Sequence, residues 1–244
     1  MIRTVPSPPV WPRWGPPPDG EYAGPVPPRT NGRHLALLAR RRGPLDVLDW
    51  GCGTGAYRSV VRNVLGHRYV GVDAEGEAAD VRADVHHLPF RAGAFDHVIT
   101  NAVLEHVADP VGAVREVARV LRAGGLFSGS AAFLEPHHHH SYFHLTGDGL
   151  VRVLTEAGFS VEAIWPQEGW TVFDSLAEMP GPVSGPSRWV LRRVAAFERW
   201  ARTRHLHPRE IRDGRWLATK SPELRHAELL TLAGQIDFLA RRPR

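Results

Sequence analysis

The sequence contains one cysteine, Cys52, among its 244 residues, and an intrachain disulfide is therefore excluded. It also lacks any run of about 18 consecutive apolar residues, which a membrane-spanning helix would need. The first residues, MIRTVPSPPVWPRWG, contain no apolar segment of the kind that secretory signals carry. These absences predict a soluble, cytoplasmic protein.

A strong excess of one charge is also missing, since the formal net charge is only +4. The small basic excess lies in one stretch, because nine arginines fall between Arg188 and Arg215 against three acidic residues. A general nucleic-acid binder would more often spread basic residues over its binding face, so nucleic acid is not expected as a partner. Peripheral contact with an anionic membrane, contact with an acidic acceptor, and a solvated helix face are the alternatives for this stretch.

The chain divides by pattern into four segments. Residues 1–28 form a proline-rich arm, which can be neither helix nor central strand. Residues 29–165 alternate strand and helix patterns, which is typical of a parallel, doubly wound α/β sheet. Residues 166–233 predict a mostly helical insertion packed against the sheet, and residues 234–244 a final strand. The expected strands are 45–50, 69–72, 81–83, 95–100, 126–133, 159–165 and 235–240.

The sharpest motif is LDVLDWGCGTGAY, in which a buried strand leads to Asp49 and then to Gly51, Gly53 and Gly55. Glycines allow a tight turn and a close approach to a ligand, and the helix expected next presents free N–H groups to it. The same letters fit the G-x-G-x-x-G/A dinucleotide fingerprint, with Asp73 about 20 residues downstream. At this point an NAD-dependent oxidoreductase remains an alternative.

Two acids favour a different ligand. Asp49 would meet a pyrophosphate unfavourably, but it suits the cationic amino group of an amino acid. Asp84 follows the third short strand and can accept a hydrogen bond from adenine N6, while the Val85 N–H is free for a ring nitrogen. These acids favour a nucleoside that carries an amino acid over a dinucleotide, and the downstream sequence provides the third argument.

Three further strings carry a family resemblance: FDHVITNAVLEHVADP, REVARVLRAGGLF and YFHLTGDGLVRVLTEAGF. With LDWGCGTG and VGVD, they resemble the class I S-adenosylmethionine-dependent methyltransferases, in particular the small-molecule group with an LEHV segment. The resemblance covers about residues 45–165 and the final strand. It implies a Rossmann-like, doubly wound α/β sheet of seven strands, mostly parallel with an antiparallel C-terminal strand. It also implies S-adenosyl-L-methionine as the cofactor.

The resemblance assigns roles to the glycine loop and the acid after the second strand. Asp49, Gly51 and Gly53 are expected to line the methionine part of the cofactor. Asp73 is expected to accept hydrogen bonds from the ribose hydroxyls.

The resemblance assigns further roles downstream. Asp84 and Val85 are expected to hold the adenine, and Asn101 to face the sulfonium and the acceptor. Glu105 and His106 of the LEHV segment are expected to order the loop after the fourth strand rather than to take part in chemistry.

A histidine-rich run, EPHHHHSYFH, follows the fifth strand. Loops at the carboxyl ends of such strands frame the ligand crevice, so the run is expected near the transferred methyl. One of its imidazoles could act as a general base. His137, His139 and His144 with an acid could instead bind Zn²⁺, or the run could be a polar wall. The catalytic candidates are His137, His139, His144 and Tyr142, and no metal site is assigned.

The resulting expectation is methyl transfer to a small-molecule acceptor, at oxygen or nitrogen of a natural product or glycan, by a monomer or homodimer. The sulfonium is already a strong electrophile, so the protein mainly supplies in-line positioning and excludes water. The alternatives are an NAD-dependent oxidoreductase, a methyltransferase-like domain that binds without catalysis, and a methyltransferase that uses its arginine-rich helix on nucleic acid or a lipid-linked glycan.

Overall fold

The computed structural model describes residues 22–28, 30–41, 43–179, 183–203, 210–212, 215–217, 230 and 232–244. Within these residues the chain forms nine strands in two sheets. The strands are β1 (Asp46–Trp50), β2 (Arg68–Asp73), β3 (Val81–Arg82), β4 (Phe95–Asn101), β5 (Leu121–Ala132), β6 (Ser160–Pro166), β7 (Glu210–Arg212), β8 (Arg215–Leu217) and β9 (Gln235–Arg241). Seven of them form one sheet in the order β3-β2-β1-β4-β5-β9-β6. Strand β9 is antiparallel to both of its neighbours and the other pairs are parallel, which confirms the expected fold class.

The first three helices each begin at a polar cap. In the described part of the chain the helices are α1 (Gly32–Ala39), α2 (Pro110–Val120), α3 (Gly147–Glu156), α4 (Val172–Glu178) and α5 (Gly185–Thr203). The side chains of Asn31, Asp109 and Thr146 each accept a hydrogen bond from a main-chain N–H in the first turn of α1, α2 and α3. Such caps satisfy donors that have no partner inside the helix.

Apolar side chains cover both faces of the seven-stranded sheet. Val47 packs with Leu35 and Leu38 of α1 on one face. Trp50 points to the opposite face and packs with the layer around Phe127, where α2 and α3 lie. Because both faces are covered, the loops at the carboxyl ends of the strands are left to form the ligand crevice.

The chain after the glycine loop differs from the predicted helix to about residue 65. Residues 53–57 form turns, and a short π-helix, Val60–Val64, follows them. The glycines of the loop adopt left-handed φ angles, which an α-helix cannot include, so the regular helix starts later than the motif suggests.

Strand β5 begins at Leu121, five residues before the predicted start. The register with β4 shifts between the pairs Phe95–Leu121 and His97–Leu126. Gly124 lies within this irregular stretch with φ of 77°, a conformation that glycine adopts readily. A double glycine often ends a helix before a strand begins, but Gly124 and Gly125 lie inside β5, at the irregularity in its pairing with β4.

The predicted helical insertion contains α4 and α5, and also a hairpin of β7 and β8 that the sequence pattern did not reveal. Helix α5 packs against α4, and its side chains Trp189 and Phe197 are 59% and 61% exposed. At these positions the apolar stripe of α5 therefore does not face the sheet, contrary to the expectation. Ser221 and Pro222, which predict the start of another helix in the insertion, lie outside the described residues.

Most of the proline-rich arm, with Trp11 and Trp14, also lies outside the described residues. Tyr22 packs against the apolar layer that contains Leu35 and Leu38. Among the helices that the structure describes, none combines the length and the apolar character needed to cross a bilayer.

Candidate active site

The glycine loop leaves the carboxyl end of β1 in a conformation that depends on its glycines. Gly51, Gly53 and Gly55 have φ angles of 74°, 51° and 69°, in the left-handed region that other residues rarely adopt. A Cβ atom on Gly51 would lie 2.3 Å from a methyl carbon of Val103. The Gly51 N–H donates to the Val72 carbonyl at 2.8 Å, which ties the loop to β2.

Asp73, at the end of β2, holds the glycine loop through main-chain hydrogen bonds. Its Oδ2 accepts from the N–H of Gly53 at 2.8 Å. Its Oδ1 accepts from the N–H groups of Glu75 at 3.0 Å and Gly76 at 2.8 Å. Asp73 therefore shapes the loop in addition to any contact with a ligand.

Asp49 lies beneath the same loop and is 2% exposed. Its Oδ2 accepts a hydrogen bond from the Tyr69 hydroxyl at 2.6 Å. Burial raises the pKa of Asp49 to about 7, against the smaller lowering effect of the Tyr69 hydrogen bond. A cationic partner would favour the ionised carboxylate, so this position suits an ammonium group.

A cavity of about 780 Å³ opens over this loop, a size ordinary for a small-molecule site. It brings together six of the seven predicted cofactor residues, which are Asp49, Gly51, Gly53, Asp73, Val85 and Asn101. His106, His139 and His140 complete its wall on the side of the histidine run.

Asn101 ends β4 at the wall of this cavity. Its Oδ1 accepts a hydrogen bond of 2.6 Å from the Ser130 hydroxyl on the neighbouring strand β5. The next residue, Ala102, has a φ angle of 55°. A left-handed alanine is strained, and it marks the point at which the chain turns from the sheet edge into the LEHV segment.

The histidine run packs on that segment. The main-chain N–H of Tyr142 donates to the Glu105 carbonyl at 2.6 Å, and that of Phe143 donates to the same oxygen at 3.3 Å. His139, with a φ angle of 46°, lies at the cavity wall. These contacts place the loop after β5 against the loop after β4, as the topology predicted.

Comparison with known proteins shows what the central part of the chain is similar to. Residues 48–128 match the family described as a methyltransferase domain. A relative from Mycolicibacterium smegmatis, provisionally named an S-adenosylmethionine-dependent methyltransferase, is 34% identical over 147 residues, which are 51% of this chain and 56% of that protein. The chain spans about half the length, or less, of the curated relatives that it matches.

The matched residues include the glycine loop, Asp49 and Asp73, which are the residues that build the cavity. Residues 48–128 are thus similar to a methyltransferase domain, and the Mycolicibacterium smegmatis relative is named for S-adenosylmethionine-dependent methyl transfer. The cofactor of this family is S-adenosylmethionine, so the dinucleotide alternative left open by the glycine motif is set aside. The residues of this methyltransferase domain fit that cofactor, because Asp49 offers a buried carboxylate to an ammonium group.

Solved structures support the fold of the methyltransferase domain. Geranyl diphosphate C-methyltransferase from Streptomyces coelicolor A3(2), solved with S-adenosyl-L-homocysteine, superposes with a TM-score of 0.53 at 15% identity, over 86% of this chain and 77% of that chain. The cyclase SpnF superposes with a TM-score of 0.53 at 18% identity, over 92% and 86% of the two chains. At these identities the likeness establishes the fold alone.

Asp84 is the predicted cofactor residue that does not line the main cavity of the methyltransferase domain. It lies with Val85, His106 and Tyr142 around a neighbouring depression. Its side chain is 61% exposed and accepts hydrogen bonds from the main-chain N–H of His86 at 2.9 Å and from the His86 ring at 2.7 Å. Hydrogen bonds from His86 hold the pKa of Asp84 below its usual value. Its contact with adenine stays a prediction.

The four catalytic candidates are dispersed around the site. His139 lies at the cavity wall, and Tyr142, 61% exposed, lies at the neighbouring depression. His137 is exposed and lines neither. His144 is partly buried, and within the described residues its Nε2 has no hydrogen-bond partner. Burial holds the pKa of His144 below its usual value.

Two residues beside the methyltransferase cavity received only a structural role from the sequence. Glu105 is fully buried, and burial raises its pKa to about 7. His106 lines the cavity, and its ring centroid lies 5.1 Å from that of His138 in the histidine run. The LEHV letters mark Glu105 and His106, but nothing in the sequence pairs them with His138.

Cys52 lies at the cavity wall and is 7% exposed. Burial raises the pKa of its thiol to about 12, with a further contribution from the charge of Asp49. The thiol is therefore uncharged near neutral pH, the form in which a cysteine is a weak nucleophile.

Proposed function

We propose that this chain transfers the methyl group of S-adenosylmethionine to an oxygen or nitrogen atom of a small-molecule acceptor, such as a natural product or a glycan. The observation that carries the proposal is the buried Asp49 carboxylate at the wall of a cavity lined by left-handed glycines. A carboxylate at this position attracts an ammonium group and repels a pyrophosphate.

The glycine loop and the two acids beside it would hold the amino-acid and ribose parts of the cofactor. Asp49 binds the ammonium group, and Gly51 and Gly53 let the main chain approach the ligand closely. Each Asp73 oxygen accepts hydrogen bonds from main-chain amides. Oδ2, with one such bond, has a further lone pair for a ribose hydroxyl.

The far end of the cavity would hold the adenine and the acceptor. Val85 offers its main chain to the ring, and Asp84 would have to turn from His86 to reach the exocyclic amine. Asn101, held by Ser130, would face the reacting methyl and orient the acceptor. S-adenosylmethionine supplies an electrophilic methyl group, and the residues of the wall contribute alignment and exclusion of water.

Among the histidine candidates, His139 has the best position to act as a general base. It lines the cavity, whereas His137 is exposed outside it. A neutral imidazole there would take the proton of an acceptor hydroxyl or amine as the new bond to carbon forms. Tyr142 and His144 would shape the outer part of the acceptor site.

We also propose that the insertion 166–233 shapes the acceptor side. The Trp170 indole donates a hydrogen bond to Glu135, just before the histidine run. The Ser175 hydroxyl of α4 donates to the Leu134 carbonyl at 2.8 Å. These bonds fasten the start of the insertion to the loop that leaves β5, beside the cavity. Its arginine-rich part is the candidate for contact with an anionic surface or acceptor.

Parallel calorimetric titrations with S-adenosylhomocysteine and NADH test the cofactor. We expect the first to bind in the micromolar range and the second not to bind; binding of NADH alone would overturn the proposal. Asp49→Asn should weaken S-adenosylhomocysteine binding at least tenfold. Asp46→Asn is a matched control on the same strand, since Asp46 pairs with Arg68 and Arg122 and does not line the cavity.

Methyl transfer itself is tested with radiolabelled S-adenosylmethionine and a panel of hydroxylated and aminated small molecules. Label should appear in an acceptor, with formation of an equal amount of S-adenosylhomocysteine. Tight cofactor binding with no transfer to any acceptor class, including RNA and glycolipid, would favour binding without catalysis.

A further inference from the structure

A cluster of metal-ligating groups lies between the LEHV segment and the histidine run. One carboxylate oxygen of Glu105 and one ring nitrogen each of His106 and His138 all lie within 4.8 Å of one another. Glu105 and His106 belong to the turn after β4, and His138 belongs to the loop after β5. The hydrogen bonds from Tyr142 and Phe143 to the Glu105 carbonyl fix these two segments against each other.

Glu105 lacks the partners that a buried carboxylate needs. The residue is fully buried, and neither carboxylate oxygen has a partner with ordinary hydrogen-bond geometry within the described part of the chain. The main-chain N–H groups of Glu105 and Ala132 lower the pKa of this carboxyl, but burial outweighs them. No arginine or lysine of the described residues forms an ion pair with it. A buried carboxylate is strongly destabilising unless it is paired or coordinates a metal. The two imidazoles beside Glu105 are ligands that could share such a metal with it.

His138 has the supporting contacts that are typical of a metal ligand. Its Nδ1 donates to the Pro136 carbonyl at 2.9 Å and lies 4.0 Å from Oε2 of Glu135. A ligating histidine commonly donates one ring N–H to a carbonyl or carboxylate, which orients the other nitrogen toward the metal. Glu135 is itself held by the Trp170 indole, so the support extends to a second layer.

We propose that Glu105, His106 and His138 bind a divalent transition-metal ion, with Zn²⁺ as the best match to two imidazoles and one carboxylate. Three protein ligands with an open position are the arrangement of catalytic zinc sites, whereas structural sites have four. Tetrahedral bonds of about 2.0 Å place ligand atoms about 3.3 Å apart. Side-chain rotation therefore has to close the remaining separation between these atoms, which lie within 4.8 Å of one another.

The fourth position has two candidate occupants. His144 offers a buried Nε2 without a hydrogen-bond partner in the described residues, and its ring centroid lies 6.0 Å from that of His138. Alternatively, the position faces the cavity, because His106 lines it. In that case the ion would hold an acceptor oxygen, a consequence that rests on the proposed function, whereas metal binding itself does not.

The test uses the full chain, without a histidine tag, stripped with a chelator and titrated with Zn²⁺ by calorimetry and with Co²⁺ by visible absorption. We expect one equivalent of metal and a cobalt spectrum typical of tetrahedral coordination. Glu105→Gln and His138→Ala should each lower the affinity at least tenfold. His137→Ala, in the same run but exposed and outside the cluster, should retain the wild-type affinity.

Three results would overturn the proposal: no stoichiometric binding by the wild-type chain, an equal loss in His137→Ala, or wild-type affinity in His138→Ala. S-adenosylhomocysteine affinity reports separately on folding and on the proposed function. A variant that loses metal but keeps that ligand is folded, and His138→Ala decides the matter if Glu105→Gln does not fold. A chain that binds metal but not S-adenosylhomocysteine contradicts only the proposed function.

Discussion

The Tyr69 hydroxyl donates a 2.6 Å hydrogen bond to Oδ2 of Asp49, the buried carboxylate at the wall of the cavity. Burial raises the pKa of Asp49 to about 7, from an ordinary value of 3.8. An ammonium group binds the ionised carboxylate, so its affinity depends on how much of Asp49 is ionised. The pair therefore links ligand binding to pH.

We predict that S-adenosylhomocysteine affinity rises with pH up to about pH 7 and then levels off. Below that value each pH unit should change the affinity by about tenfold, because only the ionised fraction binds. Calorimetry from pH 5 to pH 8 measures this. In Asp49→Asn the dependence should disappear, and an unchanged slope in that variant would assign the titration to another group.

The stability of the ligand-free protein should depend on pH in the opposite direction. The pKa of Asp49 is higher in the folded than in the unfolded chain, so the folded state retains its proton between about pH 4 and pH 7. Stability from this group is present below about pH 4 and is lost as pH rises to about 7. Asp49→Asn should therefore exceed the wild type in unfolding free energy at pH 8, by up to about 4 kcal/mol. Equal differences at pH 4 and pH 8, measured by urea unfolding, would contradict this.

Replacing the donor should move the same transition. Tyr69→Phe removes the hydrogen bond that lowers the pKa of Asp49, and hydrogen bonds to charged groups contribute about 1.5–3 kcal/mol. The midpoint of the affinity–pH curve should therefore shift upward by about one to two units. A midpoint that stays in place would show that the hydroxyl does not stabilise the ionised form.

Asp73 should combine two effects that Ala and Asn variants separate. Asp73→Ala removes the acceptor for three main-chain N–H groups, so it should lose about 2–4 kcal/mol of stability together with ligand affinity. Asp73→Asn keeps one oxygen acceptor and should lose less stability, while ribose binding is still weakened. Melting temperature and calorimetry are the measurements, and an Ala variant with wild-type stability would contradict the loop-holding role.

Two glycines of one loop should respond differently to alanine. A Cβ on Gly51 would meet Val103 at 2.3 Å, whereas one on Gly53 meets no protein atom within 4 Å. Both positions have positive φ, so each substitution should cost about 1–2 kcal/mol, and Gly51→Ala distinctly more. Gly53→Ala should keep most of the stability yet bind S-adenosylhomocysteine at least tenfold more weakly. Gly53 lines the cavity, so the added methyl group would occupy space that the ligand needs. Urea unfolding and calorimetry on both variants measure these effects. A larger loss of stability in Gly53→Ala than in Gly51→Ala would contradict the prediction.

Much of the cavity could be predicted because its residues lie at or just after the carboxyl ends of consecutive strands. Asp49 and Gly51 are two residues apart on a strand and its loop, and Asp73 ends the next strand. The carboxyl ends of neighbouring parallel strands meet at one edge, so strand patterns alone place these side chains together. The helix caps at Asn31 and Thr146 are local signals of the same kind, because each side chain accepts a hydrogen bond from an N–H two or three residues further on.

The remaining features depend on contacts between distant segments. Glu105 and His138 meet because two loops pack across the sheet edge, and no periodic pattern records which imidazole of a histidine run faces inward. The Asp84 carboxylate accepts a hydrogen bond from the neighbouring His86 ring, and this local bond competes with the expected ligand contact. Three-residue strands such as β7 and β8 are too short to show alternation.

The position of β9 determines how late the sheet can be completed. This strand lies between β5 and β6, although it follows both of them, and the whole insertion, along the chain. Until it arrives, β5 and β6 each have an unpaired edge of the kind that promotes intermolecular association. Contacts between residues far apart in sequence slow folding, so the docking of β9 should limit the rate at which this domain folds. Loss of that strand should lead to aggregation rather than to a smaller folded core.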